Sequence, residues 1–142
     1  MTDINFYVSK HEGSQFRLAI VYRLVSLAME RDLSIHIHTD NDKSSQLIDD
    51  YLWTKDKTSF IPHSICSESS NNKALGINIS HTHEPLENCD YLINFSSQRP
   101  SFFSRFLKVA EILDTSEEIL TAGRKRYAFY RDRGYTLKYH QL

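Results

Sequence analysis

Alternation of hydrophobic and polar residues marks the first strands of this chain, and a long amphipathic run separates them. Residues 4–8 alternate apolar with mostly polar side chains, and residues 33–37 do so again, which is the period-two pattern of a β-strand. Residues 15–31 repeat apolar side chains at helical spacing. The inward-facing residues predicted for this helix are Phe16, Ile20, Val21, Leu24, Leu27 and Ala28. A strand, a helix and a strand in this order predict a right-handed βαβ unit with parallel strands.

The remaining pattern continues this succession of helices and strands. Residues 44–53 predict a second helix whose inward side chains are Leu47, Ile48, Tyr51 and Leu52. The serine- and asparagine-rich residues 64–73 predict a flexible loop, and Pro100 is predicted to begin a short helix. Further strands are predicted at residues 76–79, 91–95 and 109–114. The sequence therefore predicts an α/β fold with one open sheet and helices on its faces.

The C-terminal segment, residues 115–139, concentrates the positive charge of the chain. Residues 124–139 contain six basic, five aromatic and one acidic residue, whereas the formal net charge of the whole chain is −1. Thr115 and Glu118 have the spacing of a capping box, so a helix is predicted to begin at Thr115. Gly134 is predicted to end this helix.

One face of this basic helix combines charge with apolar surface. Its members follow one another at intervals of four, three and four residues, and they are Leu120, Arg124, Tyr127 and Arg131. The face predicted to pack on the core carries Ile119, Ala122 and Tyr130. Because arginine and tyrosine are enriched in binding hot spots, the first face suits an anionic partner with an apolar end group. The alternative is a solvated basic face that the helix dipole favours.

Length and composition predict a single domain over residues 1–142. With 40% hydrophobic and 25% charged residues, the chain has the composition of an ordinary globular domain. No apolar run approaches the roughly 18 residues that span a membrane, and the first residues lack a basic signal segment. We therefore expect a cytoplasmic protein without membrane contact. Cys66 and Cys89 stand in no zinc or redox motif and are predicted to be free thiols.

The sequence gives little support to small-molecule chemistry. Phosphate-binding loops need clustered glycines, whereas the four glycines are scattered at Gly13, Gly76, Gly123 and Gly134. No serine stands in a GxSxG setting, and no feature couples a cysteine with a histidine. We therefore expect no nucleotide, no other cofactor and no catalytic residue.

Two histidine pairs are the best candidates for metal ligands, since residues i and i+2 on a strand face the same side. The pairs are His36 with His38 and His81 with His83. Asp40, Glu84 or Asp90 would complete a zinc or iron site, which makes a metal-dependent hydrolase one alternative function. Such pairs arise by chance among seven histidines, so solvated strand histidines are expected and no metal is predicted.

Residues 53–62 carry an unusual density of large apolar groups. Trp53 stands at the predicted end of the second helix, where a tryptophan commonly closes the core. Phe60 and Pro62 follow a charged turn, and an apolar patch exposed there would mark a protein partner. The sequence thus predicts an apolar binding surface in addition to the cationic one.

Three blocks of the sequence resemble the family of the chi subunit of bacterial DNA polymerase III. They are INFYV at residues 4–8, LWTKDKTSFIPH at residues 52–63 and RKRYAFYRDRGY at residues 124–135. The resemblance implies a Rossmann-like, three-layer domain with an open, mainly parallel sheet and no nucleotide-binding glycine loop. It also implies a non-catalytic accessory subunit of the clamp-loader assembly in DNA replication.

One partner that the resemblance implies is the acidic, phenylalanine-ending C-terminal tail of the single-stranded-DNA-binding protein. Arg124 and Tyr127 match the family's tail-binding arginine and tyrosine, and Leu113 matches an aliphatic lining position of the same pocket. Ala128 stands where relatives often have a lysine. The residues that remain open as substitutes for that lysine are Lys125, Arg126 and Arg131.

The second implied partner is the small psi subunit. Trp53 and Phe60 match the family's aromatic surface for psi, and Pro62 lies in the same block. The resemblance implies that a helicase-type repair protein shares this surface. Direct binding of single-stranded nucleic acid by the basic helix is the remaining alternative. A net charge of −1 is unusual for nucleic-acid binders and predicts weak or no contact of this kind.

Overall fold

The computed structural model of the protein describes residues 2–55, 64–65, 77–81 and 90–142, whose strands form one seven-stranded sheet. The strands are β1 (Asp3–Val8), β2 (Ile35–His38), β3 (Ser64–Ile65), β4 (Ile77–Ser80), β5 (Tyr91–Asn94), β6 (Lys108–Leu113) and β7 (Thr136–Gln141). The helices are α1 (Ser14–Glu30), α2 (Asp42–Lys55) and α3 (Glu117–Asp132), with a 3₁₀ turn at Phe103–Arg105. The strand order is β3-β4-β2-β5-β6-β1-β7, and every pairing among these residues is parallel.

Successive side chains of the strands divide between two hydrophobic cores, one on each face of the sheet. On β6, Val109 and Leu113 enter one core while Ala110 and Ile112 enter the other. Helices α1 and α2 cover the face with Ala110 and Ile112, and α3 covers the opposite face together with the 3₁₀ turn. The predicted α/β, Rossmann-like three-layer architecture with an open parallel sheet is therefore confirmed.

The parallel register of the adjacent strands β6, β1 and β7 places their carboxyl ends at one level beneath α3. Strand β1 lies between β6 and β7, and Val8 is paired in register with both Leu113 and Gln141. Two residues earlier, Phe6 is paired with Glu111 and Tyr139. Since alternate residues face the same side, all these side chains can contribute to the surface that α3 covers.

Three apolar side chains that were predicted to face inward are exposed instead. The exposed fractions are 36% for Phe16, 47% for Leu27 and 43% for Leu47. The buried stripe of α1 includes Leu18 and Val25, which the prediction omitted. The prediction took apolar character as the sign of burial, whereas the angular position of a residue around the helix decides whether its side chain faces the core.

Strands β3 and β7 were not predicted. Ser64–Ile65 was assigned to a loop, and Thr136–Gln141 was treated as the end of the basic segment. Strand β7 lies at the edge of the sheet and has no fully buried side chain, so it lacks the apolar alternation of a buried strand. Only its pairing with β1, far away in the sequence, identifies it.

The start of α3 also differs from the prediction, whereas its end agrees. Ser116, not Thr115, precedes the first helical turn, and no side chain forms the predicted capping box. The Ser116 amide and hydroxyl donate hydrogen bonds to Oδ1 of Asp114 at 2.8 and 2.6 Å. Gly134 follows the helix with a φ of 82°, a conformation that glycine adopts without strain, so the predicted stop is confirmed.

Within the described part of the chain, none of the helices has both the length and the apolar content needed to cross a bilayer.

Candidate peptide-binding groove on the C-terminal helix

Helix α3 lies unusually close to β6 because a glycine faces the strand. A Cβ atom on Gly123 would stand 2.5 Å from Cδ1 and 2.9 Å from Cδ2 of Leu113, well inside van der Waals contact. Leu113 is itself buried at the carboxyl end of β6. The absence of a side chain at residue 123 thus sets the distance between the helix and the sheet.

A buried polar network holds α3 in this position. Glu111 on β6 is fully buried and accepts hydrogen bonds from Arg126 Nε at 2.9 Å, the Tyr130 hydroxyl at 2.6 Å and Asn94 Nδ2 at 2.9 Å. A second guanidinium nitrogen of Arg126 donates to the carbonyl oxygen of Ser97 at 2.8 Å. Arg126 is therefore an internal anchor of the helix, and its charge is already matched by a carboxylate.

Burial and hydrogen bonding shift the pKa of this carboxylate in opposite directions. Burial raises the pKa of Glu111 above its usual value, and the charge of Arg126 together with the donated hydrogen bonds opposes that rise. Burial likewise raises the pKa of Tyr130, whose hydroxyl stays protonated and donates to Glu111. Since every neighbour of the carboxylate in this network is a donor, the ionised form of Glu111 fits the network.

A groove with a cavity of about 490 Å³ lies between α3 and strands β1, β6 and β7. All five residues predicted for an anionic partner line it, and they are Leu113, Leu120, Arg124, Tyr127 and Arg131. The structure thus brings together the predicted residues from the helix and the one from β6. The roles assigned to them remain predictions.

The cations of the groove are available to a ligand, whereas its floor is apolar. Arg124 is exposed and forms no ion pair with a described residue. Arg131 pairs only with the neighbouring Asp132 at 3.4 Å, and because both side chains are more than 60% exposed this pair is weak. Tyr127 is partly buried, with its ring centroid 5.2 Å from that of Phe6. The groove therefore offers guanidinium groups at its rim and rings and aliphatic groups inside.

Among the lining residues that were not predicted as site residues, four lie on strands. Phe6 and Val8 come from β1, and Tyr139 and Gln141 come from β7. The period-two pattern of residues 4–8 already placed Phe6 and Val8 on one face. Their meeting with residues 139 and 141 depends on the parallel β1–β7 pairing, for which the local sequence gives no signal.

The apolar surface predicted for a second partner falls outside the described residues. Residues Phe60 and Pro62 lie there, and so does the side chain of Trp53, whose backbone belongs to the last turn of α2. Their assignment to psi stays a prediction.

The histidine pair on β2 does not form a metal centre with its described neighbours. His36 and His38 stack with ring centroids 6.5 Å apart and both contact Phe102. Burial lowers the pKa of His38, so its imidazole is neutral at pH 7. No group of three candidate ligands occurs in the part of the chain that the structure describes. His83 lies outside this part, and His81 approaches Asp42 at 3.4 Å.

Replacing Gly123 with alanine should change the shape of the groove. The added methyl group must displace Leu113 or move α3 outward, and overpacking of this kind costs about 1 to 3 kcal/mol. The higher helix propensity of alanine returns roughly 1 kcal/mol of that loss. We therefore expect a loss of about 0 to 2 kcal/mol in the free energy of unfolding. The affinity for a peptide bound in the groove should fall by a larger fraction than the stability does. Urea denaturation and calorimetric titration of Gly123→Ala would measure the two effects, and an unchanged affinity would contradict the role of this glycine.

Comparison with known proteins covers nearly the whole chain. The sequence profile of a family described as "DNA polymerase III chi subunit, HolC" matches residues 1–138. DNA polymerase III subunit chi of Pseudomonas aeruginosa is 32% identical over an alignment of 143 positions, which covers 100% of this chain and 98% of the relative. The Escherichia coli K12 protein of the same name is 25% identical over 142 residues, with 96% of both chains covered. The matched span includes β1, β6 and α3, which build the groove.

Proposed function

The chain belongs to the family of the DNA polymerase III chi subunit, and on that basis we propose that it acts by binding rather than by catalysis. It bridges the psi subunit of the clamp loader and the acidic C-terminal tail of the single-stranded-DNA-binding protein. The observation that carries this proposal is the groove on α3, in which two exposed guanidinium groups, Arg124 without an ion pair to a described residue and Arg131 in a weak pair with Asp132, adjoin an apolar cavity. A peptide that ends in phenylalanine offers the complementary pair of groups, a carboxylate and a ring.

The chemistry of the groove fits such a peptide end. A guanidinium group binds a carboxylate through two parallel hydrogen bonds, and Arg124 stands at the rim with its charge unmatched. Burial of a phenyl ring against Leu120 and Leu113 contributes on the order of 1.5 to 3 kcal/mol. Together with the acidic residues of the tail, these contacts support micromolar affinity, about 8 kcal/mol of binding free energy.

Arg131 is the best substitute for the lysine that relatives often carry at the position of Ala128. Both Arg131 and Ala128 line the groove. Arg126 is committed to Glu111 inside the protein, and Lys125 lines a different cleft on the other side of α3. The second cation of the tail site therefore comes from one turn further along the helix.

The psi subunit binds, in this proposal, to the aromatic surface of Trp53, Phe60 and Pro62. The support for this half of the bridge is the resemblance of residues 52–63 to the family's psi-binding block. A helicase-type repair protein that used the same surface would compete with psi. The two partners of the bridge would then occupy different parts of the chain.

Arg124→Ala and Tyr127→Ala should each weaken binding of a tail peptide without unfolding the protein. Hydrogen bonds to charged groups contribute about 1.5 to 3 kcal/mol, so loss of the Arg124 guanidinium should raise Kd by roughly tenfold or more. Arg124 is exposed, so its replacement should change the free energy of unfolding by no more than about 0.5 kcal/mol, whereas Tyr127 is partly buried against Phe6 and its replacement should cost about 0.5 to 3 kcal/mol, which leaves the protein folded. Isothermal titration calorimetry with the last residues of the single-strand binder measures the affinity.

Arg23→Ala is the matched control for this experiment. Arg23 is an exposed arginine on α1, across the sheet from the groove, so its replacement removes the same charge at a remote place. We expect its Kd to match the wild type, and a peptide without the terminal phenylalanine should bind none of the proteins well. Added salt should weaken the wild-type complex because part of the attraction is screened. Unchanged binding by both groove variants would remove the tail from this site.

A further inference from the structure

A second cleft lies on the face of α3 that points away from the groove. Its cavity of about 920 Å³ is open to solvent and is lined by residues of α3 and of the segment 97–99. Ala122, Lys125 and Phe129 line it, at intervals of three and four residues. At 100° per residue, this stripe is turned by nearly half a circle from the stripe that contains Arg124 and Tyr127. The two cavities thus use separate residues of one helix.

Two arginines are stacked against a single ring beside this cleft. The guanidinium carbon of Arg99 lies 3.6 Å from the ring centroid of Phe129, and that of Arg133 lies 4.9 Å from the same centroid. The two carbons are therefore no more than 8.5 Å apart, the sum of these distances. Cation–π contact holds both charges in place despite their mutual repulsion.

Neither guanidinium is paired with a carboxylate among the described residues. Arg99 contacts the rings of Phe103 and Phe129, and Arg133 contacts the ring of Phe129. The Nε atom of Arg99 is buried and has no hydrogen-bond acceptor. A buried donor without an acceptor is unfavourable, so the ring contacts hold Arg99 in place at the cost of this unsatisfied donor.

The positive charge is concentrated at one end of the cleft. Lys125 is exposed beside Phe129, so three cations that form no ion pair with a described residue lie at this end. The acidic lining residues, Glu117 and Glu118, belong to the first turn of α3, and the axis distance from Glu117 to Phe129 is about 18 Å. The electric field around Arg99 is therefore that of a local cationic patch, although the net charge of the chain is −1.

We propose that this patch, Arg99, Lys125 and Arg133, binds the phosphate backbone of single-stranded DNA. Several cations grouped at one end of an open cleft match neighbouring phosphate charges of a flexible strand. A protein ligand would need an apolar anchor, and the ring available here is already covered by guanidinium groups. The contact is weak and depends on salt, within the range of about 10⁻⁴ to 10⁻⁶ M that is typical of non-specific binding. It places DNA on the side of α3 opposite the groove for the tail, so the two sites share no residue.

The test compares two double variants that change the net charge equally. Arg99→Gln/Arg133→Gln removes two cations from the patch, and Arg124→Gln/Arg131→Gln removes two from the groove. Fluorescence anisotropy with labelled oligothymidine, at several salt concentrations, should show at least a tenfold loss of affinity for the first variant and a change within about twofold for the second. The slope of log K against log salt should fall by about 1.4 for the first variant, at roughly 0.7 per phosphate contact.

In a titration with the tail peptide, Arg124→Gln/Arg131→Gln should lose affinity and Arg99→Gln/Arg133→Gln should bind as the wild type does. Failure of this inference is therefore distinguishable from failure of the proposed function. Absence of oligothymidine binding by the wild type at low salt would overturn the inference, and so would equal losses in both double variants. If Arg124→Gln/Arg131→Gln still bound an acidic peptide and the patch variant did not, the cleft would be assigned to a protein partner instead. Lys125→Gln/Arg133→Gln, which changes two exposed residues, replaces the patch variant if loss of Arg99 disturbs folding.

Discussion

Replacement of Arg126 with methionine is expected to lower the free energy of unfolding by about 3 to 5 kcal/mol, the usual cost of breaking a buried ion pair from one side. Arg126 is 6% exposed and its partner Glu111 is fully buried. The methionine side chain keeps much of the buried volume but leaves the carboxylate without a cation. Urea denaturation followed by circular dichroism would measure the loss. Arg124→Met, two residues earlier on the exposed face, should change stability by no more than about 0.5 kcal/mol.

A second substitution tests whether the charge of Glu111 causes this loss. In the double variant Arg126→Met/Glu111→Gln, the neutral amide oxygen still accepts a hydrogen bond from Tyr130 while its NH2 group faces the donor Nδ2 of Asn94, so we expect part of the lost stability to return. In the single variant, the pKa of Glu111 should rise further because the opposing cation is gone. A carboxyl group with a raised pKa in the folded state stabilises the protein as pH falls, so the deficit should shrink under acidic conditions. A loss below about 1 kcal/mol at neutral pH would show that the ion pair does not anchor α3.

Local sequence patterns predicted the strands and helices in which buried residues recur at regular intervals along the chain. Strands β1 and β2 follow the period-two rule because the alternate apolar residues of each strand, Ile4, Phe6 and Val8 on β1 and Ile35 and Ile37 on β2, enter one core. The intervals of four and three residues in Leu120, Arg124 and Tyr127 correctly placed these side chains along one groove. The resemblance of three blocks to the chi subunit family is confirmed by the matches over the whole chain.

Features that depend on distant contacts were not predictable in the same way. Arg126 was considered as a free charge because arginine is normally exposed, yet it is buried against Glu111. One local signal was present, since Arg126 lies four residues after Ala122 and four before Tyr130, on the face predicted to pack on the core. The groove floor has no such signal because Phe6 and Tyr139 meet through pairing across more than 130 residues of sequence.

Phe6→Ala is the second substitution with a large expected effect, a loss of about 3 to 5 kcal/mol in the free energy of unfolding. Phe6 is 1% exposed, and its ring centroid lies 5.2 Å from that of Tyr127 and 6.0 Å from that of Tyr130. Its removal leaves a cavity directly below the groove that α3 cannot close, because Gly123 already rests on Leu113. Phe6→Leu, which retains most of the volume, should lose less than about 1.5 kcal/mol. Urea denaturation of the two variants would give both values.

The same substitution should reduce the affinity of the folded protein for the tail peptide, because Tyr127 loses the ring on which it packs. Leu18→Ala is the control, since Leu18 is buried in the core on the opposite face of the sheet. Its loss of about 2 to 5 kcal/mol resembles that of Phe6→Ala, but its folded state should bind the peptide as the wild type does. Calorimetric titration below the unfolding transition separates the two variants. Wild-type affinity in Phe6→Ala would mean that the groove does not depend on the core beneath it, whereas a selective loss would show that one phenyl ring supports both the core and the binding surface.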